Sequence, residues 1–182
     1  MRIVVVGTSG AGKTTLAKTI AAAQGIPHVE LDALEWGPRW TPLSIVDPAE
    51  LVCRVTVATA GDAWVVDGNY GMVREQTWGR ATHLIWLDYD RPVIMWRVIR
   101  RTLVRVICRR ELWSGNVEQW RHLLRPSHPI RWAWSTWRRR RAEIEALLAR
   151  DEQSHLIVYR LRHPSEASGV ARNLAAAATS RA

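Results

Sequence analysis

Near the start of the chain, Gly7-Thr8-Ser9-Gly10-Ala11-Gly12-Lys13-Thr14 satisfies the spacing G-x-x-x-x-G-K-[ST] at every position. Glycines at this spacing let the backbone curl so that successive N–H groups point inward, at the start of a helix whose N-terminus favours negative charge. Lys13 has the reach for β- and γ-phosphates, and the Thr14 hydroxyl suits Mg²⁺. The chemistry implied is nucleoside triphosphate binding with magnesium. Gly7, Ser9, Gly10, Ala11, Gly12, Lys13, Thr14 and Thr15 are its candidate binding residues.

Such chemistry also needs an acid to orient magnesium-bound water, and two apolar runs end in one. Trp64-Val65-Val66-Asp67 leads into the polar turn Gly68-Asn69-Tyr70, and Leu84-Ile85-Trp86-Leu87-Asp88 precedes a long helix. We prefer Asp67, paired with Thr14, as the metal site; capping the helix is an equally good role for Asp88. Asp32 follows the run Pro27-His28-Val29-Glu30-Leu31. It would act as general base toward a hydroxyl acceptor, or serve only as a turn cap. An acceptor attacking through a phosphate oxygen needs no such base. Trp36, Arg39 and Trp40 come next, able to stack on a ring and hold an acidic group, although hydrophobic packing accounts for each Trp equally well. His28, His83 and His155 fall in or beside apolar runs and read as core or edge residues.

The formal charge of +9 is concentrated in one segment. Residues 1–90 are net −3 and residues 142–182 are neutral, while residues 91–141 hold fourteen Arg against Glu111 and Glu118, net +12. A GC-rich genome explains why 24 of the 26 basic residues are Arg, and why there are eleven Trp and no Phe. It does not explain where the charge sits, so an anion is expected there. Arg97, Arg101, Arg105 and Arg109 recur at i+4 with Arg100 beside them. Val93, Met95, Trp96, Ile99, Leu103, Val106 and Ile107 read as the opposite, core face. Arg138, Arg139, Arg140 and Arg141 follow on the next helix, beyond a stretch broken by Gly115, Pro126 and Pro129. Two basic helices joined by a flexible excursion suggest a lid that closes arginines over phosphates. Arg101 and Arg138 join Lys13 and Asp32 as candidate catalytic residues.

Positioning these groups requires strands alternating with helices. Strands are expected at residues 2–6, 27–31, 63–67, 83–88 and 155–160. Helices are expected at 13–23, 49–60, 91–111, 132–150 and 165–178, with irregular structure over 32–48. The strands are continuous apolar runs, so the expected fold is α/β, a parallel sheet covered on both faces. Ligands on such sheets gather at the carboxyl ends of strands, where Gly7, Asp32, Asp67 and Asp88 stand. With 182 residues and 47% hydrophobic composition, the chain makes one domain with a full core, which excludes general disorder. No apolar run is long enough to span a membrane, and the first apolar stretch is too short for a signal peptide. Cys53 and Cys108 have no metal-site spacing, so a reducing, cytoplasmic setting is expected.

The loop, the Val65-Val66-Asp67-Gly68-Asn69-Tyr70 block and the Arg-rich segment resemble the adenylate-kinase-like branch of P-loop kinases, which includes shikimate and gluconate kinases. Glu111-Leu112-Trp113-Ser114-Gly115-Asn116 narrows the resemblance to a group named topology modulation proteins, over nearly the whole chain to about Pro164. It implies a three-layer α/β/α P-loop fold, a five-stranded parallel sheet of order 2-3-1-4-5, ATP with Mg²⁺, an acceptor-binding excursion at about 32–62 and a lid at about 97–141. In the family an Arg about nine residues beyond the fourth strand's Asp packs on adenine, and another four later contacts phosphate. Counted from Asp88 these are Arg97 and Arg101. Asp67-Gly68 matches the Asp-Gly of nucleotide kinases, but Asn69-Tyr70-Gly71 replaces their Phe-Pro-Arg. The acceptor-binding Arg is thus missing, which argues against a nucleoside monophosphate acceptor, and Arg74 is the candidate substitute. Candidate acceptor contacts are Asp32, Trp36, Arg39, Asp67, Tyr70 and Arg74. The expected activity is an ATP-dependent kinase acting on a small hydroxyl-bearing or nucleotide-like metabolite. The alternatives are a nucleotide-gated nucleic-acid binder and a polynucleotide-end kinase.

Overall fold

The computed structural model describes residues 1–109, 111–118 and 128–179. Strand β1 (Arg2–Gly7) owes its unbroken apolar run to burial on both faces. Ile3 and Val5 enter one hydrophobic layer, Val4 and Val6 the other, and all four are 0% exposed. The phosphate loop follows, then α1 (Lys13–Gln24), closed by Gly25 in the left-handed conformation. Strand β2 (His28–Glu30) runs directly into the short helix α2 (Leu31–Glu35). Asp32 therefore lies in the first turn of a helix and not at a strand end, where the sequence put it.

The stretch expected to be irregular is locally built. Strands β3 (Trp36–Gly37) and β4 (Thr41–Pro42) pair as a small antiparallel hairpin, followed by α3 (Leu43–Val46) and α4 (Pro48–Ala58). Its Pro and Gly content reflects tight turns; Arg39 and Trp40 take positive φ in the hairpin loop. The buried Glu35 carboxylate ties the segment together, accepting from the Ser44 backbone N–H at 2.9 Å and hydroxyl at 2.5 Å.

Next come β5 (Trp64–Asp67), the one-turn α5 (Arg74–Thr77), β6 (His83–Leu87), α6 (Arg91–Ile107), α7 (Pro129–Leu148), β7 (Ile157–Leu161) and α8 (Glu166–Thr179). The main sheet runs β2-β5-β1-β6-β7 with every pairing parallel. Setting aside the separate hairpin, that is the expected order 2-3-1-4-5. Connections leave β1 toward opposite edges, so its carboxyl end is the switch point where ligands bind in open α/β sheets. Helices α1, α6 and α8 cover one face. Helix α4 covers the other, with Trp64, Trp78 and Trp86 filling that core. The 20-residue α7 reaches both layers, placing Ala133 in the first and Ile144 and Leu147 in the second.

Two helix readings change. Helix α7 begins at Pro129, read from sequence as a breaker; proline suits the first helical position, and His128 caps it by accepting from the Ile130 N–H at 3.3 Å. The α6 core face is Ile94, Val98, Thr102 and Val106. Trp96 is instead 69% exposed and Ile107 68%. The helix is turned so that its arginine row borders the core. Pro126 and the rest of residues 119–127, within the expected lid, lie outside the described residues. Cys53 on α4 and Cys108 at the end of α6 are free and exposed. No described helix is long and apolar enough to cross a membrane.

Candidate active site

Gly10 and Gly12 adopt φ of +89° and +98°, conformations costly for any residue with a Cβ. At Gly10 there is also no room: a Cβ would lie 3.0 Å from both the Ile94 carbonyl oxygen and the Val98 Cβ. Helix α6 is thus pressed directly against the phosphate loop, and its next turns deliver arginines to it. Arg97 Nη1 donates to the Ala11 carbonyl at 2.9 Å, with its guanidinium 5.4 Å from the Tyr89 ring centroid. Arg101 Nη2 donates to the Ser9 hydroxyl at 3.1 Å. Lys13 Nζ donates to the Thr8 carbonyl at 3.3 Å, held back over its own loop.

The cations are packed against one another. Burial lowers the Lys13 pKa; Asp32 and Asp67 oppose the shift, and Arg101 and Arg140 add to it. Burial, helped by Arg105, pushes Arg101 down from 12.5 to about 10, against the pull of Glu118 and Asp32. Charged groups held in this way are stabilised by a polyanion, and a triphosphate supplies one.

Behind Lys13, Asp67 is 3% exposed. Its Oδ2 accepts from the Thr14 hydroxyl at 2.5 Å, and its Oδ1 lies 3.0 Å from His28 Nε2. Thr14 and Asp67 bring two hard oxygen donors together, a set suited to Mg²⁺ completed by phosphate oxygens and water. Asp88 is committed elsewhere. Its Oδ2 meets Arg141 at 3.0 Å and Arg160 at 2.6 Å, so it neither caps α6 nor faces the loop. On the acceptor side, the Tyr70 hydroxyl donates to Asp32 Oδ1 at 2.6 Å. Burial, reinforced by Asp32, raises the Tyr70 pKa, so the phenol stays protonated and remains a donor. That fixes the carboxylate and leaves Oδ2 for another partner.

These groups share one cleft of about 1980 Å³. Single-ligand pockets are roughly 300–1,000 Å³, so two substrates fit together. The loop from Gly7 to Thr15 lines it, as do Asp32, Trp36, Tyr70, Arg97 and Arg101. Four sequence candidates do not. Asp67 is buried behind the loop. Arg39 is exposed on the hairpin loop and Arg138 on α7. Arg74 is engaged by Glu143, and its Nε donates to Asn69 at 3.3 Å. Of the four consecutive arginines, the helical step sends Arg140 into the cleft and Arg141 to Asp88, while Arg138 and Arg139 face solvent. Arg140 and His28 are the residues that sequence reasoning missed. His28 and Glu30 alternate with Val29 on the strand beside β5, where Glu30 pairs in register with Asp67. That spacing was the available signal.

The turn at 111–118 touches the hairpin directly. The Asn116 side chain accepts from the Trp40 N–H at 2.9 Å and donates to the Gly37 and Trp113 carbonyls, each at 2.8 Å. The Ser114 hydroxyl donates to the Trp36 carbonyl at 2.8 Å. Trp40 stands edge-to-face between Trp36, at 5.8 Å between ring centroids, and Trp113, at 6.4 Å.

The chain is similar in structure to a shikimate kinase from Acinetobacter baumannii solved with shikimate (TM-score 0.56, 18% identity, 99% of this chain and 93% of that one). It is similar also to a shikimate kinase from Bacteroides thetaiotaomicron (0.57, 15%, 96% of each) and to a gluconokinase from Sinorhizobium meliloti 1021 (0.51, 19%, 100% and 93%). The chain has the P-loop kinase fold. No family model matches its sequence, and no curated protein matches it significantly.

Proposed function

We propose that the chain is an ATP-dependent phosphotransferase acting on a small hydroxyl-bearing metabolite. The observation that carries this is the meeting, in one cleft, of a phosphate loop backed by Thr14 and Asp67 with a carboxylate, Asp32, fixed by Tyr70. An acceptor hydroxyl attacks the γ-phosphorus as the bond to the β–γ bridging oxygen breaks, giving ADP and a phosphate ester, and Asp32 takes the hydroxyl proton. Lys13, Arg101 and Arg140 offset the charge that spreads over the transferring oxygens. Arg97, stacked near Tyr89, holds the nucleotide end. Mg²⁺ held by Thr14 and Asp67 would draw charge from the phosphate oxygens. On the Asp67-Gly68-Asn69-Tyr70 block we also propose kinship with the group named topology modulation proteins. With two free cysteines, we assign it to the cytoplasm.

The test is ADP release with Mg²⁺-ATP and pooled acceptors: nucleosides, nucleoside monophosphates, sugars, hydroxy acids and 5′-hydroxyl oligonucleotides. One pool should raise release well above the acceptor-free rate. Lys13→Ala should lower that rate by at least about 100-fold, and Asp32→Asn by 10²–10⁴-fold. Wild-type turnover in both variants would sink the assignment of roles.

A second reading, nucleotide-gated nucleic-acid binding, is favoured by the outer face of the lid helices. Trp134 is exposed there, and the Arg91 guanidinium stacks 3.4 Å from its ring centroid. It requires affinity that falls steeply with salt and is lost on charge reversal at Arg138 and Arg139. Phosphorylation of a 5′-hydroxyl oligonucleotide would unite the two readings.

A further inference from the structure

The walls of the cleft are segregated by charge. Its cations come from the loop and the helices: Lys13, Arg97, Arg100, Arg101, Arg105 and Arg140, with exposed Lys18 on α1. Among the described residues, neither the hairpin excursion nor the lid turn at 111–118 adds a Lys or Arg to the lining. They bring carboxylates and indoles instead. Asp32 and Glu30 line this end of the cleft. Glu35 is spent on Ser44, and Glu118 on Arg105 at 3.1 Å.

The indoles form three walls. Trp36 and Trp113 stand at 76° and 85° to Trp40. Asn116 and Ser114 hold together the two backbone segments that carry the indoles. Aromatic faces beside carboxylates suit an organic cation, which ring quadrupoles attract and which the carboxylates neutralise. They repel an acid. A neutral polyol would gain the stacking without the charge pairing that these carboxylates offer.

Resting on the kinase reading above, we propose that the phosphoryl acceptor is a hydroxylated amine, an amino sugar or amino alcohol, whose ammonium sits in the box of Trp36, Trp40 and Trp113 against Glu30 while its hydroxyl faces Asp32.

The experiment uses the full chain with Mg²⁺-ATP and measures ADP release with three matched sets: amino sugars and amino alcohols, their deaminated counterparts, and carboxylates of the same skeleton. Glucosamine, glucose and glucuronate are the first trio. Turnover should be confined to the ammonium members. Trp40→Leu and Glu30→Gln should each raise KM for the amine by about tenfold while changing kcat less than threefold. The KM for ATP should not move. An acceptor that is neutral or acidic, or a Trp40→Leu effect of equal size on an amine and its deaminated counterpart, overturns the amine proposal and leaves the kinase standing. Silence from every set and from the broader pools, with ATP still bound, overturns both.

Discussion

Arg101 and Arg138 differ only in where a helix turns them. Arg101 is half-buried on the Ser9 hydroxyl, and Arg138 is in solvent. Arg101→Ala should therefore lower kcat/KM for ATP by about 10²–10³-fold, the usual cost of removing a donor at developing charge. Arg138→Ala should stay within twofold, and Arg140→Ala should resemble Arg101→Ala; the three titrations of rate against ATP settle the ranking. Glu30 makes a prediction about stability. Its pKa is raised above 4.5 by burial first and by Asp67 next, so the folded state holds its proton to higher pH than the unfolded one. The stability this confers is complete below 4.5 and disappears as pH rises through the folded value. Glu30→Gln, which mimics the protonated form, should melt above wild type at pH 7 and together with it at pH 4. A variant that melts lower at pH 7 would show the carboxylate to be structurally needed. The phosphate loop was legible because its chemistry is written in eight consecutive residues. His28 and Arg140 were not, because the first depends on the register of β2 against β5 and the second on the phase of α7.

At the scale of elements, the contact between hairpin and lid turn is carried mainly by one side chain. Asn116 is 5% exposed and makes three hydrogen bonds to backbone groups. Asn116→Ala would leave the Trp40 N–H and the Gly37 carbonyl without that partner, a loss of about 1–3 kcal/mol. Because both groups belong to the proposed acceptor excursion, the KM of the acceptor should rise several-fold while that of ATP holds. An equal rise in both would mean that the contact supports the whole cleft. The sequence announced the sheet through continuous apolar runs, because burial on both faces erases alternation. It concealed the hairpin, whose Pro, Gly and Trp content is equally that of a loop. It also misplaced the core face of α6. Ile99, Leu103 and Ile107 share helical spacing as well as Val98, Thr102 and Val106 do, and only the close approach of α6 to Gly10 chooses between them.

For the molecule as a whole, the point where the lid helix meets the sheet is an acid between two arginines. Asp88 lies at the end of β6, Arg141 comes from α7, and Arg160 from β7, its guanidinium also 4.2 Å from the Trp86 ring centroid. Removing the shared acid leaves Arg141 beside the Trp137 ring and Arg160 with Glu145 alone, and each keeps some access to water. Asp88→Asn should therefore lower stability by about 2 kcal/mol, read from the midpoint of urea unfolding, without changing the KM for ATP. A change in KM would assign Asp88 to the site. The sequence could weigh Asp88 only against Asp67, because the partners that occupy it arrive 53 and 72 residues later.

The chain also carries its own pair of markers. Cys53 stands on α4, in the proposed acceptor-binding arm, and Cys108 at the end of α6, at the foot of the proposed lid arm, both exposed and free. A donor and an acceptor dye attached to these two native thiols would report the separation of the two arms directly, without any engineered position. Adding a non-hydrolysable ATP analogue, and then each candidate acceptor, would show which ligand draws the arms together, and a shortening on the acceptor alone would place closure ahead of nucleotide binding.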